Sequence, residues 1–402
     1  MPRESLASDF GGTRLKKKKR RRAKIRLRRG RNSGFAIPRR SHRKKIGSRR
    51  RPRKIKVAYR RPLGKMLHGR IEDALDSAHL RKLQGRVNLI FTSPPFPLVH
   101  KKSYGNRVGN DYLQWLKGLA PKLAALLSPK GSIVIELGNA WVKGSPAMST
   151  LPLKALLAFQ ETADLHLCQY IICHNPARLP SPAQWVNVKR VRLKDSFTHV
   201  WWLSKTEHPK ASNKKVLVPY SADMRNLLRL QKYNAGKRPS GHDISADGFL
   251  KDHGGAISPS VVSLAEDARL PEALMQLPNT SWDANYREYC KKRKIKEHPA
   301  RMRPELAGFF IAMLTNRGDT VVDPFGGSNT TGAVADLTGR RWVAVEENEE
   351  FIQGSKGRFH TRERQRKVLK KAARPDVRTR KLTKKRMEGR TAQKQSRKSR
   401  KR

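Results

Sequence analysis

An α/β fold built on a Rossmann-like parallel sheet is predicted by three features of the chain. Apolar strand-like runs alternate with amphipathic helical stretches between Met66 and Gly144. A helix, strand, Gly-rich turn, helix, strand series follows between Arg303 and Asn348. Between them, residues 175–297 lose that regularity, as expected of an inserted region rather than of a second copy of the fold.

The elements follow in order. VNLIFT (Val87 to Thr92) reads as a strand, DYLQWLKGLAPKLAALL (Asp111 to Leu127) as a helix and GSIVIELG (Gly131 to Gly138) as a second strand. KALLAFQETADL continues the helices, and CQYIICH (Cys168 to His174) returns to strand character. Residues 175–297 are rich in Pro, Gly, Ser and basic side chains, except for FTHVWWLSK (Phe197 to Lys205), a strand expected to join the preceding sheet. RPELAGFFIAMLT is a helix, and DTVVDPFGGSNTTGAVADLTG with RRWVAVEEN completes half of a Rossmann-like unit late in the chain. The expected boundaries are a disordered basic arm at 1–63, a first half-domain at 64–174, the irregular region at 175–297, a second half-domain at 298–360 and a disordered basic tail at 361–402.

Charge is distributed unevenly. The chain holds 89 Lys and Arg against 32 Asp and Glu, a net +57. Residues 1–61 contribute 27 basic and 2 acidic side chains and residues 361–402 contribute 20 and 3, which leaves +15 for everything between. A moderately basic globular centre with two strongly basic arms points to a polyanionic partner, nucleic acid above all. The alternative for the arms, including KKKKRRR at Lys16 to Arg22, is a solvated charge run without a dedicated role. The three cysteines, Cys168, Cys173 and Cys290, form no C-x-x-C pair and no metal-ligand set, so a reducing compartment and no metal are expected. No apolar run approaches the ~18 residues of a membrane span, and no apolar stretch follows the basic amino-terminal run as in a signal peptide.

In VVDPFGGSNTTG, Asp323 ends an apolar strand, Gly326 and Gly327 allow a sharp turn beside a ligand, and Ser328 to Thr331 open the next helix. The pattern is not G-x-G-x-x-G, so a pyrophosphate is not implied. Glu346 ends the following strand, where a carboxylate accepts ribose hydroxyls; Glu347 is the alternate if the strand runs one residue further. A nucleoside cofactor fits, and a carboxylate near the loop suits a cationic one such as S-adenosylmethionine. An ordinary turn whose glycines only cap helices is the alternative for the Gly pair alone.

TSPPF (Thr92 to Phe96) follows the first strand. An exocyclic amine on a nucleobase is a poor nucleophile, because its lone pair is delocalised into the ring. Acceptors that hold its hydrogens favour a pyramidal, more reactive nitrogen. Ser93 supplies a side-chain oxygen and Pro94 a carbonyl, while the two rings of Pro94 and Pro95 restrain their direction. Phe96 offers a flat face for a base drawn out of a duplex. Glu136 ends the next predicted strand; it either hydrogen-bonds Ser93 and drains charge as the amine loses its proton, or is a rim carboxylate in a cap or salt bridge.

TSPPF, HPARMRPELAGFFIAMLT and VVDPFGGSNTTG, in that order, resemble the amino-methyltransferases of restriction-modification systems, in the permuted arrangement with the catalytic motif first and the cofactor motif last. The Ser-Pro-Pro-aromatic form is similar to the cytosine-N4 branch, and KKSYGN, RLPSP, RPSGHDI and HPAR narrow the likeness to its PvuII type. The resemblance spans Leu67 to Phe359. It implies a Rossmann-like S-adenosylmethionine-dependent methyltransferase sheet with an inserted target-recognition region, S-adenosylmethionine as donor and a base flipped out of duplex DNA as substrate. By motif, Ser93, Pro94, Pro95 and Phe96 carry over as the catalytic loop. Asp323, Phe325, Gly326, Gly327, Ser328 and Thr330, with Glu346, carry over as the cofactor site, and His298 to Thr315 as a segment closing over the methionine end.

Sequence discrimination is expected from the irregular region, with Arg238, His242, Asp243, Lys251 and His253 as candidates to read base edges, or else as polar loop residues that touch phosphate. Trp185, Trp201 and Trp202 either wall a base pocket or belong to the core. Direct transfer to cytosine N4 is expected, without a covalent adduct, since no cysteine neighbours the catalytic loop in sequence as carbon-5 chemistry would require. Adenine-N6 methylation, and a catalytically silent DNA or chromatin-binding protein on the same fold, are the rival readings. The expected state is a monomer or weak dimer, cytoplasmic and nucleoid-associated in a bacterium or nuclear in a eukaryote. A cognate restriction endonuclease would share the DNA site without touching the enzyme.

Overall fold

The computed structural model describes residues 53–97, 107–245, 247–263 and 279–359, all within the compact unit Pro52–Arg402. The strands that make its main sheet are β1 (Lys56–Arg61), β2 (Gly64–His68), β3 (Val87–Thr92), β4 (Leu127–Gly138), β5 (His166–His174) and β6 (Phe197–Ser204). A two-residue hairpin, β7 (Gly236–Lys237) with β8 (Asp243–Ile244), stands apart from it. The main sheet is completed by β9 (Val261–Ser263), β10 (Thr320–Asp323) and β11 (Arg341–Glu346). Its order is β1-β2-β11-β10-β3-β4-β6-β5-β9.

The five strands β2, β11, β10, β3 and β4 run parallel, and β6 joins β4 antiparallel. Parallel strands must be covered on both faces, which is why they read as continuous apolar runs. The period of two then separates their side chains. Ile90, Ile133, Ile135, Val322, Val343, Val345 and Trp201 pack on one face with helices α1 (Gly109–Leu126) and α2 (Leu151–Ala163). Leu89, Phe91, Val134, Val321, Trp342, Ala344 and Trp202 pack on the other. The cover there is the later pair of helices, Pro304–Leu314 and Thr330–Leu337, with Phe91 stacked on Phe310 at 5.7 Å between ring centroids.

The last strand pair of the chain therefore inserts beside the first. β10 lies between β11 and β3, so that crossovers leave β3 toward β4 and β10 toward β11 in opposite directions. The carboxyl ends of β3 and β10 form the switch point of the sheet, the place where open α/β sheets leave a crevice.

Two expectations are corrected here. The arm boundary at residue 63 falls inside a hairpin, because β1 pairs antiparallel with β2 and Ile55 is buried in the core. The basic run KVAYRR alternates enough to cover one edge of the sheet, a pattern masked by its charge. The irregular region returns two strands to the sheet instead of one: β6 as expected, and β9, which pairs parallel with β5 at the far edge. Of the two readings for the strand tryptophans, the core one holds: Trp201 and Trp202 are 0% and 7% exposed. Both arms lie outside the described residues, apart from 53–63.

Candidate active site

β3 ends at Thr92 and opens into Ser93, Pro94, Pro95 and Phe96, all described, whereas 98–106 lie outside the described residues. Pro94 is buried, and Ser93, Pro95 and Phe96 are partly so. The Phe96 ring lies over the α-carbon of Gly138 at the end of β4. A side-chain carbon there would meet the ring at 2.5 Å, so the glycine permits the approach. β3 and β4 are paired neighbours, and this brings Glu136 to Ser93. Ser93 stands close enough to act on the Glu136 carboxyl, and Thr198 Oγ1 donates to Glu136 Oε1 at 2.9 Å. Burial pushes the Glu136 carboxyl up from its ordinary value, against the pull of Thr198, the Arg178 charge and Ser93.

Asp323 closes β10 beside this loop. Its Oδ1 accepts from Thr92 Oγ1 at 2.7 Å and from the Phe325 amide at 3.1 Å, and Thr331 adds a further side-chain hydrogen bond. Burial raises its carboxyl too, offset by these donors. Asp323 thus staples the ends of β3 and β10 together and fixes the DPFGG turn. Within that turn Gly327 has φ +50°, and a side-chain carbon on it would stand 3.0 Å from His298 Nε2. Glycine is required there on both counts. Phe325 packs at a tilt against Trp115, at 5.5 Å between centroids.

Glu346 ends β11 over the same turn. Its Oε2 accepts from the Gly327 amide at 2.8 Å and its Oε1 from the Asn348 amide at 2.9 Å. Burial raises its carboxyl to about 7, with those two backbone bonds pulling the other way. Ser328 and Thr330 are buried side chains, 3.3 Å apart between hydroxyl oxygens, and Ser328 Oγ accepts from Arg358 at 3.2 Å. Their hydroxyls hold the turn against the following helix. The expected cofactor set is therefore assembled in one place, and the sequence alternate Glu347 is exposed outside it.

Four further residues stand in this cluster, and two of them, His298 and Glu305, fall in the segment His298 to Thr315 that the resemblance places over the methionine end. Glu305, the second residue of the helix Pro304–Leu314, is 1% exposed, and neither carboxylate oxygen has a hydrogen-bond partner among the described residues. Burial lifts it to about 7. His298 is held neutral by burial, which lowers it to about 4, and stacks edgewise on Phe351 at 4.5 Å. Asn139 Nδ2 donates to Asp195 Oδ1 at 2.6 Å. Cys173 is the correction among them. Although remote in sequence, it lies close enough to this cluster for Thr198 to hydrogen-bond its thiol and for the Glu136 charge to reach it. Burial pushes the thiol up to about 12, so it is not the thiolate that carbon-5 chemistry needs.

The recognition candidates form two groups. Arg238, His242 and Asp243 come together on the β7–β8 hairpin, where the Arg238 amide donates to the His242 carbonyl at 2.8 Å. The Arg238 guanidinium donates to the Asn234 carbonyl at 2.6 Å and lies 5.7 Å from the Tyr233 ring. Lys251 and His253 stand on the next turn, with the His253 amide donating to Tyr220 Oη at 2.9 Å. Among the described residues no group of three His, Cys, Asp or Glu is placed to hold a metal ion, and no helix is long and apolar enough to cross a membrane.

SPPF thus follows one strand of the switch point and DPFGG its neighbour. The family model for DNA methylases of the N6/N4 type matches residues 87–357. The chain belongs to the N6/N4 DNA methylase family. This methylase is 41% identical over 275 residues to the Type II methyltransferase M.PvuII of Proteus hauseri, an alignment covering 68% of this chain and 78% of that protein. It is 28% identical over 117 residues to the DNA adenine methyltransferase YhdJ of Escherichia coli K12, covering 29% and 40%. It is 42% identical over 82 residues to the Type II methyltransferase M.BamHI of Bacillus amyloliquefaciens, covering 20% and 18%. Among solved structures, the PvuII DNA methyltransferase (cytosine-N4-specific) superposes with a TM-score of 0.56 at 32% identity, covering 79% of this methylase and 95% of that chain.

Proposed function

We infer that the methylase transfers a methyl group from S-adenosylmethionine to the exocyclic N4 of a cytosine flipped out of duplex DNA, as the modification enzyme of a restriction-modification system. The observation that carries this reading is the meeting of the Ser93–Phe96 loop with the buried Glu136 and the DPFGG turn at the switch point of the sheet. Likeness to M.PvuII and to the cytosine-N4-specific structure supports the choice of base.

S-adenosylmethionine supplies an electrophilic methyl group on a sulfonium. The residues present fit it. Gly326 and Gly327 make the tight turn, Glu346 serves the ribose hydroxyls, and Phe325 lines the turn. Glu305, a buried carboxylate without a partner among the described residues, suits the ammonium of the methionine end, within the segment that His298 begins. Asp323 acts by holding the turn rather than as a ligand.

Phe96 and the two prolines seat the base. Ser93 Oγ and the Pro94 carbonyl accept the two N4 hydrogens, which concentrates the nitrogen lone pair on its free side. As N4 gains positive character, its proton passes toward Ser93 Oγ, whose own proton is held by Glu136. A carboxyl raised by burial is a better acceptor for that proton than an ordinary one. Arg238, His242, Asp243, Lys251 and His253 read or grip the duplex. The methylase works as a monomer or weak dimer, on nucleoid DNA in the cytoplasm of a bacterial host or in the nucleus of a eukaryotic one, and a cognate endonuclease would need no contact with it.

The test is to incubate the methylase with labelled S-adenosylmethionine and mixed-sequence duplex DNA, digest to nucleosides and identify the labelled one. N4-methylcytosine is expected. N6-methyladenine would move the enzyme to the sister branch, and no product despite DNA and cofactor binding would make it a silent DNA-binding protein.

A further inference from the structure

Residues 175–196 leave the sheet at the end of β5 and re-enter it at β6, on the edge that carries Glu136. Their neck is closed tightly. The Asn175 amide donates to the Ser196 carbonyl at 2.7 Å and the Asp195 amide to the Ser181 carbonyl at 3.1 Å. Arg178 Nη1 donates to Asp195 Oδ2 at 3.2 Å and to the Phe197 carbonyl at 2.9 Å. Lys194 Nζ caps the Pro176 carbonyl at 2.7 Å. A π-helical turn, Gln184–Val188, shapes the far end.

So well braced a loop has no need to expose apolar side chains. Yet Leu193 and Leu179 are the two most exposed large apolar residues among those described, at 92% and 83%, with Val188 and Val191 also exposed beyond them. Neither leucine contributes to the core, and both flank the neck formed by Arg178 and Asp195. The surroundings are basic: five Lys and Arg against the single acidic Asp195 in 175–196, and Asp195 is already occupied by Arg178 and Asn139. Asn139 directly follows Gly138, on which the Phe96 ring lies. The neck therefore sits against the catalytic loop.

Exposed leucines ringed by cations beside a base-flipping site match the chemistry of a duplex, whose phosphates take the charge and whose base stack takes the apolar side chain. We propose that this loop is a duplex-facing wedge. Leu193 and Leu179 enter the base stack where the target base leaves it, while Lys189 and Arg190 sit on the flanking phosphates. The proposal rests on the reading that the methylase acts on a base drawn out of duplex DNA. Filling the vacated space would hold the opened state long enough for the base to reach Ser93, without contributing to the chemistry itself.

The test uses the full-length protein and two duplexes that differ only by one abasic nucleotide, which offers the wedge a ready-made gap. The wild-type chain is expected to prefer the abasic duplex by on the order of tenfold. The preference should collapse in Leu193→Ser with Leu179→Ser, and survive in Leu193→Met. Affinity for the intact duplex, set mainly by cations, should stay unchanged. Because both leucines are exposed, the double variant should also keep its unfolding midpoint.

In parallel, methylation of duplex and heat-denatured plasmid DNA should fall about tenfold in the double variant on the duplex alone. No wild-type abasic preference, or one undiminished in the double variant, overturns the wedge while leaving the methylase reading intact if product still forms. A changed oligomeric state with unaltered DNA discrimination would assign the leucines to a protein interface and overturn it equally. A leucine-dependent preference in an enzyme that makes no product would sustain the wedge and remove the methylation reading.

Discussion

At the carboxyl rim of the sheet, Ser93, Glu136, Asp323 and Glu346 are drawn from strands β3, β4, β10 and β11, and the three carboxylates accept from defined donors. In the β7–β8 hairpin and the turn after it, His242, Asp243, Lys251 and His253 are exposed, and local backbone bonds do the bracing. The difference follows from what each region has to do. A proton acceptor needs a shifted affinity, and burial between rigid strands provides it; the carboxyls of Glu136, Asp323 and Glu346 are all raised. A side chain that reads a partner must keep its hydrogen bonds available until the partner arrives. Substitutions in the rim should therefore alter chemistry and stability, and substitutions in the hairpin should alter selectivity alone.

The sharpest test of the contrast is Ser93→Ala. Loss of one acceptor at the reacting nitrogen should lower single-turnover methylation by about 10²–10³ while calorimetry shows cofactor binding retained; undiminished turnover would break the role given to Ser93. Next in size, Thr92→Val removes the donor that ties β3 to Asp323 and leaves a buried carboxylate short of a partner. A loss of about 1–3 kcal/mol in denaturant unfolding is expected, and a loss near zero would mean the staple is dispensable.

Arg238→Ala should leave stability within about 0.5 kcal/mol and shift preference among DNA sequences by about 1–3 kcal/mol in competition methylation. If it unfolds the protein instead, the contrast between the two regions fails. The cofactor site should also titrate. With Glu305 and Glu346 both raised to about 7, protonation as pH falls through that value removes the charge opposite the ammonium and an acceptor from the ribose. Cofactor affinity should then weaken below about pH 7, and Glu346→Gln should flatten part of that dependence in a binding titration across pH. The smallest effect concerns the basic segments. A chain lacking residues 1–50 and 361–402, which keeps β1, should methylate normally but bind nonspecific DNA with a shallower dependence on salt; an identical slope would show that they do not meet the duplex.

Much of this was legible in the linear chain, for reasons of period and length. Strands buried on both faces read as apolar runs, so VNLIFT, SIVIEL, TVVD and RWVAVE could be placed without a structure. The turns after them stand out because Pro and Gly are rare inside such elements. β1 was hidden by its basic residues, and β9, at three residues, is shorter than any reliable pattern. Glu305 reads in the sequence as a routine acidic residue in a first helical turn, and only burial makes it exceptional.

Legible without the fold are the strand and helix succession, the Ser-Pro-Pro and Asp-Pro-Phe-Gly-Gly turns, and the separation of a modestly basic centre from strongly basic ends. Those depend on local stereochemistry and on the periodicity of burial. It took the fold to bring Thr92 to Asp323 across 231 positions, to set Ser93 beside Glu136, and to place Cys173 near them with its thiol pushed up by burial. Such meetings depend on strand order, and strand order is set by how the whole sheet buries its two faces rather than by any neighbouring residues.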